Sequence, residues 1–127
     1  MIQENGNNHP LVIATINKAI GLDADNQTAL AVQLLTALAA EFPQAASVHS
    51  YLAWYFLRNS QLDEATEHGR QAVALSPKSE KASLIYFHVL WKSGQHVQAL
   101  EEMKRFLTLR PSEEYINLIK EWKPSPA

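Results

Sequence analysis

The chain has 127 residues, 46% of them hydrophobic and 19% charged, which is enough for one packed core and argues against wholesale disorder. Its net charge of −2 gives no general attraction for nucleic acid or an anionic membrane. The absence of cysteine removes thiolate chemistry, disulfides and Cys-ligated zinc, and four glycines are too few for a fold rich in tight turns.

In chain order, residues 1–9 are polar and acidic, with neither the basic start nor the apolar stretch of a signal peptide, and are expected to be flexible. No run approaches the roughly 18–20 apolar residues of a membrane span, so a cytoplasmic location without membrane attachment is expected. A first helix is expected over about 10–20, with Pro10 in its first turn, then a break at Gly21 to Asp25. Residues 27–41 follow as a second helix behind Asn26 as N-cap. The next helix, 45–58, carries Val48, Tyr51, Leu52, Tyr55 and Phe56 at spacings of three and four, as one helical face requires. Asn59, Ser60 and Gln61 break it, and 62–75 forms a fourth helix that Pro77 stops, because proline cannot continue a helix. Helices over about 79–93 and 96–109, with Gly94 at the turn between them, repeat the pattern. A seventh, 112–122, ends before Lys123-Pro124 and is expected to pack back through Tyr115, Ile116, Leu118, Ile119 and Trp122.

These helices come in a repeat. Pro43, Pro77 and Pro111 are spaced 34 apart, and so are Ala31, Ala65 and Ala99. Leu75 and Leu109, Val73 and Leu107, and Gln61 and Gln95 keep the same period. A 34-residue helix–turn–helix ending in proline resembles the tetratricopeptide repeat. The middle unit matches best, with Ala53 as the small residue of the first helix, Ala65 and Ala72 opposite it, and Pro77 as the stop. The third unit has Phe87 and Phe106 at two of those small positions, so two phenylalanines must fit where close helix approach is usual, and the first puts Leu38 at the later alanine. The family's early aromatic is replaced by Thr15, His49 and Ser83.

The resemblance implies an all-α fold, a right-handed superhelical stack of antiparallel helix pairs. Its repeats would cover about 10–43, 44–77 and 78–111, with a capping helix at 112–122 and a tail at 123–127. It also implies a non-catalytic module that binds a peptide or another part of a partner protein, with no cofactor. Two further readings are self-association as a homodimer and, against a net charge of −2 and only two groove cations, nucleic-acid binding.

No chemistry-bearing motif competes with this. The five histidines show no metal-ligand spacing, and His68, four residues after Glu64, reads as a surface pair. Asp63-Glu64 and Glu101-Glu102 read as acids complementing the starts of second helices. The run Tyr51 to Leu57 is apolar on every side, and burial explains Trp54 and Leu57 least well. The period places Trp54 in a row with Ile20, His88 and Trp122, Leu57 with Trp91, and Arg58 with Lys92. By resemblance these rows line the concave groove, with Trp54, His88, Trp91 and Trp122 as its floor, Leu57 among its lining residues, and Arg58 and Lys92 as a basic rim favouring an acidic or mixed segment. The family's carboxylate clamp uses lysines and asparagines where this chain has Ser50, Trp54, Leu84 and His88, so a clamp for terminal carboxylates is not expected.

Overall fold

A computed structural model describes residues 6–122. Those residues form seven helices and no strand: α1 (Pro10–Ala24), α2 (Thr28–Glu41), α3 (Ala46–Arg58), α4 (Leu62–Leu75), α5 (Glu80–Lys92), α6 (His96–Leu109) and α7 (Glu113–Glu121). α1/α2, α3/α4 and α5/α6 are antiparallel pairs, and α3 also packs on α2 and α5, so each first helix is shared between neighbouring units. This is the expected all-α stack, and among the described residues no helix is long and apolar enough to cross a membrane. Of the segment expected to be flexible, residues 1–5 lie outside the described residues, as does the expected tail at 123–127. Residues 6–9 form a turn in which the Asn7 side-chain oxygen accepts from the Ser47 backbone N–H at 3.1 Å and its hydroxyl at 3.0 Å.

The period is written in the backbone as well as in the side chains. Asn26, Ser60 and Gly94, 34 apart, all have positive φ, at 63°, 60° and 80°. After each, the next residue's N–H reaches back to a carbonyl of the last helical turn: Gln27 to Leu22 at 2.8 Å, Gln61 to Phe56 at 2.9 Å and Gln95 to Leu90 at 2.9 Å. This left-handed C-terminal motif satisfies carbonyls that the helix end leaves free. It corrects two expectations in the first unit. Gly21 is inside α1, which runs a turn further to Ala24, and Asn26 closes α1 while Gln27 caps α2. Asparagine suits both roles, because its short polar side chain tolerates the left-handed region.

The core runs through the stack in three connected groups. Val12, Ile16, Ala19, Ala31, Leu35, Val48 and Leu52 pack units one and two. Ala53, Leu57 and Ala65 hold Ile85 and Val89 of the next unit. Phe87, Leu90, Ala99, Met103 and Phe106 hold Tyr115 of α7. Ala53 and Ala65 are fully buried, as the close approach of α3 and α4 requires.

Two of the three polar residues that replace the family's aromatic, His49 and Ser83, are also inside, while Thr15 is half-buried. His49 and Ser83 are 4% and 0% exposed, and each bonds the residue 19 positions later on its hairpin partner. His49 Nδ1 meets His68 Nδ1 at 3.0 Å, and the Ser83 hydroxyl donates to Glu102 at 2.7 Å. The two contacts are one contact repeated at the period. His68 is therefore a partner of His49 stacked on Phe56, not a surface pair with Glu64. Glu102 is a buried acid in mid-helix, held by Arg105 through two bonds of 2.8 and 2.6 Å. Among the described residues every buried side-chain nitrogen and oxygen has a partner, as burial of polar groups demands.

Candidate functional site

The row of first-helix residues Ile20, Trp54, His88 and Trp122 is exposed along its whole length. Trp54 is 39% exposed although its neighbours Ala53 and Tyr55 are buried. Six of the seven residues proposed from sequence, Trp54, Leu57, Arg58, His88, Trp91 and Lys92, line one depression of about 380 Å³. The seventh, Trp122, is 62% exposed just past the end of α7 and lines a separate cleft of about 460 Å³ that shares His88 and Trp91 with the first. A third depression, about 500 Å³, shares Trp54 and His88 and adds Tyr51, Glu80, Lys81 and Glu114. His88 therefore sits where all three meet.

The roles of individual residues differ from the sequence expectation. Leu57 is 7% exposed and packs with Ala53, Ala65 and Ile85, so it belongs to the core and only edges the depression. Its packing against Ala65 turns it toward α4 rather than solvent. Trp91 is half-buried, stacked on His96 at 4.2 Å and on Phe87 at 5.9 Å, which fixes its ring before any ligand arrives. Arg58 is not a free cation. Its guanidinium grips Asp23 through two bonds of 2.8 and 3.0 Å, and Thr28 donates to the same carboxylate at 2.6 Å. Those bonds hold the Asp23 carboxyl below its usual range. Lys92, at the end of α5, is exposed on the same edge. The cap helix also differs, since Tyr115 is fully buried while Ile116 and Ile119 are 42% and 51% exposed. Sequence reasoning did not find Tyr51, Glu80, Lys81 and Glu114, which lie on an early face of the helices where no repeat signal stands out.

The His49–His68 pair has a defined proton arrangement. The Pro43 carbonyl can only accept, so His49 Nε2 donates to it at 2.8 Å, and one proton is shared between the two Nδ1 atoms of His49 and His68 at 3.0 Å. Burial, followed by the neighbouring His49, depresses the His68 pKa against the raising pull of Glu67 and Glu64. A histidine held below its ordinary value of about 6.5 binds fewer protons folded than unfolded. The stability it contributes is complete above that value and is lost as pH falls through it toward the folded pKa. The melting temperature is expected to drop as the buffer is taken from about pH 7.5 to 5. His68→Gln, which keeps a donor for His49 but cannot titrate, should flatten that drop. His88, whose exposed edge leaves the rest of its ring desolvated against the protein so that its pKa is also lowered, adds to the same window. An unchanged slope in both His68→Gln and His88→Gln would remove these rings as its source.

Among the described residues no three or more histidines, aspartates or glutamates gather as metal ligands. What the site offers is shape, aromatic surface and a mixed charge edge. The sequence model of the tetratricopeptide repeat matches residues 16–80. The chain belongs to the tetratricopeptide-repeat family. No curated protein matches it. Among solved structures it is similar to the second TPR of Spaghetti (RPAP3) bound to the HSP90 peptide SRMEEVD, at 20% identity and a TM-score of 0.70. That likeness covers 78% of this chain and 86% of the other, and at such identity it concerns the fold. Members of this family share the stack. In this one the first-helix row exposes Trp54 and His88, while Ser50 is buried at 5% exposure.

Proposed function

We propose that the protein is a non-catalytic interaction module, of the adaptor, scaffold or chaperone-like kind, that holds a peptide segment of a partner protein against the exposed row of its first helices. The observation that carries this reading is the meeting of three depressions at His88, with Trp54 open to solvent and Trp91 already fixed by stacking. Aromatic side chains held in place make strong anchors, because little rotamer entropy remains to be lost on binding. The similar solved structure, which holds a peptide, supports the reading at the level of fold. The partner segment is a mixed one, since Asp23 already neutralises Arg58 and leaves Lys92 as the cation of that edge. A cytoplasmic setting fits the composition. Self-association is the second reading, favoured by Leu11, Ile13 and Leu30 exposed at 45–49% near the first end of the stack, and sedimentation across a concentration range separates the two.

The test follows from the anchors. With a partner segment identified by pull-down and mass spectrometry, Trp54→Ala and Trp91→Ala are each expected to weaken binding by about 2 kcal/mol or more in calorimetry. Lys92→Ala should cost less and flatten the dependence on salt. Trp54→Ala should melt close to the wild type, because that ring is largely outside the core. Normal binding by a folded Trp54→Ala/Trp91→Ala variant would move the partner to another face.

A further inference from the structure

The cleft under the cap helix has a cause in the sequence. In the middle unit Ala53 and Leu57 present a low surface, and Ile85 of the next unit closes onto it, 8% exposed. One period later the same two positions hold Phe87 and Trp91, their rings stacked at 5.9 Å. The residue that would close onto them, Ile119, is 51% exposed instead. Bulk at a position that elsewhere permits close approach holds Ile119 away from the third unit, while Tyr115 at the start of α7 stays packed on it. What remains is the cleft of about 460 Å³, walled by Phe87, Trp91, Leu100, Met103, Leu118 and Ile119. That volume lies within the roughly 300–1,000 Å³ range of sites that enclose ligand groups. Leu100 at 46% and Trp122 at 62% exposure stand at its mouth as apolar surface still open to water.

The charges around the cleft select what enters. Glu121 is the one charged residue of its lining. Across His88, the adjoining depression adds Glu80 and Glu114. The ammonium there, Lys81, is already engaged, donating to the Tyr51 hydroxyl at 2.8 Å and lying 4.0 Å from the centroid of that ring. Lys81 keeps its charge, and Lys92 lies on the depression that shares His88 and Trp91 with the cleft, so three carboxylates stand against two ammonium groups and favour a cation next to an apolar group over an acidic one. We propose that this cleft takes a large apolar side chain of the partner peptide and that a lysine or arginine lies beside that side chain in the partner. The inference rests on the peptide-groove reading and names the chemistry of the segment bound. It gives the third unit's two departures from the family pattern, Phe87 and Phe106, a consequence: one props the cleft open and the other fills the core behind it.

A random peptide library displayed on phage and panned on the full chain tests it. The expected result is enrichment of peptides with a leucine, methionine or aromatic residue next to a basic one. Synthetic versions of these peptides should lose roughly tenfold or more in affinity for Ile119→Arg, an exposed wall residue whose replacement leaves the melting temperature near wild type. Glu114→Lys/Glu121→Lys, both at exposed positions, should move the selection from basic toward acidic peptides. Enrichment of acidic peptides by the wild type would overturn the inference and leave the groove reading standing. So would basic peptides whose affinity ignores Ile119→Arg but falls in Trp54→Ala. Enrichment of nothing, or of peptides indifferent to every one of these variants, would take the groove reading down with it.

Discussion

Replacing Tyr115 with alanine is expected to lower the folding free energy by about 3–5 kcal/mol and to free α7 from the stack. α7 has nine residues, too few to persist as a helix in water without packing, and Tyr115 is its buried residue. The ring meets Phe87 edge-on at 5.6 Å and Phe106 at 6.0 Å. Its hydroxyl lies 2.7 Å from the Ser83 hydroxyl, which in turn donates to Glu102. Because Ser83 spends its proton on Glu102, Tyr115 is the donor of the pair. Burial pushes its phenol up, away from any physiological titration. Tyr115→Phe should therefore cost only about 1 kcal/mol, the net value of one hydrogen bond whose partner keeps another. Chemical unfolding gives both numbers, and amide exchange over 113–121 reports whether the helix lifts. A loss under about 1 kcal/mol for Tyr115→Ala would mean that α7 is held by something other than this residue.

The fold was legible because the repeat forces the same small, apolar and helix-stopping positions to recur, and Pro43, Pro77 and Pro111 cannot recur at 34 by helical amphipathicity alone. The turns were legible in part. Gly94 marks its own positive φ, whereas Asn26 and Ser60 occupy the same conformation with residue types that also serve as caps. Periodicity says which positions are equivalent but not whether a polar residue there faces water. His49, Ser83, His68 and Glu102 are polar, and only their contacts across the hairpin reveal that they are inside. The alignment of first-helix residues into rows was legible for the same reason as the fold, since residues 34 apart on stacked helices share a face. The neutralisation of Arg58 was not, because Asp23 lies 35 residues away on a neighbouring first helix and no spacing rule pairs them. The cleft under α7 was foreshadowed by Phe87 and Phe106 at small positions, yet whether bulk is absorbed by repacking or by separation depends on what the next helix can reach.

Phe87 decides that question and supplies the second large effect. It is 7% exposed, stacked on Trp91 and edge-on to Tyr115 and His88, so Phe87→Ala removes a ring from the joint between α5 and α7. Truncations of this kind cost about 3–5 kcal/mol, and less where the surroundings can settle into the space. An open cleft next door gives α7 room to settle, so the expected loss is about 3 kcal/mol, at the low end of that range. The movement has its own signature. With the wedge gone, Ile119 should close toward the position that Ile85 holds one unit earlier, and the Trp122 emission, taken by difference from a matched Trp122→Phe variant, should shift to the blue as its surroundings become drier. A peptide that depends on the cleft should bind Phe87→Ala more weakly than it binds the wild type, even where both are folded. A loss of 5 kcal/mol with no change in Trp122 emission would show that the cavity stays open and that α7 is held off by its own connection at Arg110-Pro111-Ser112 rather than by the ring.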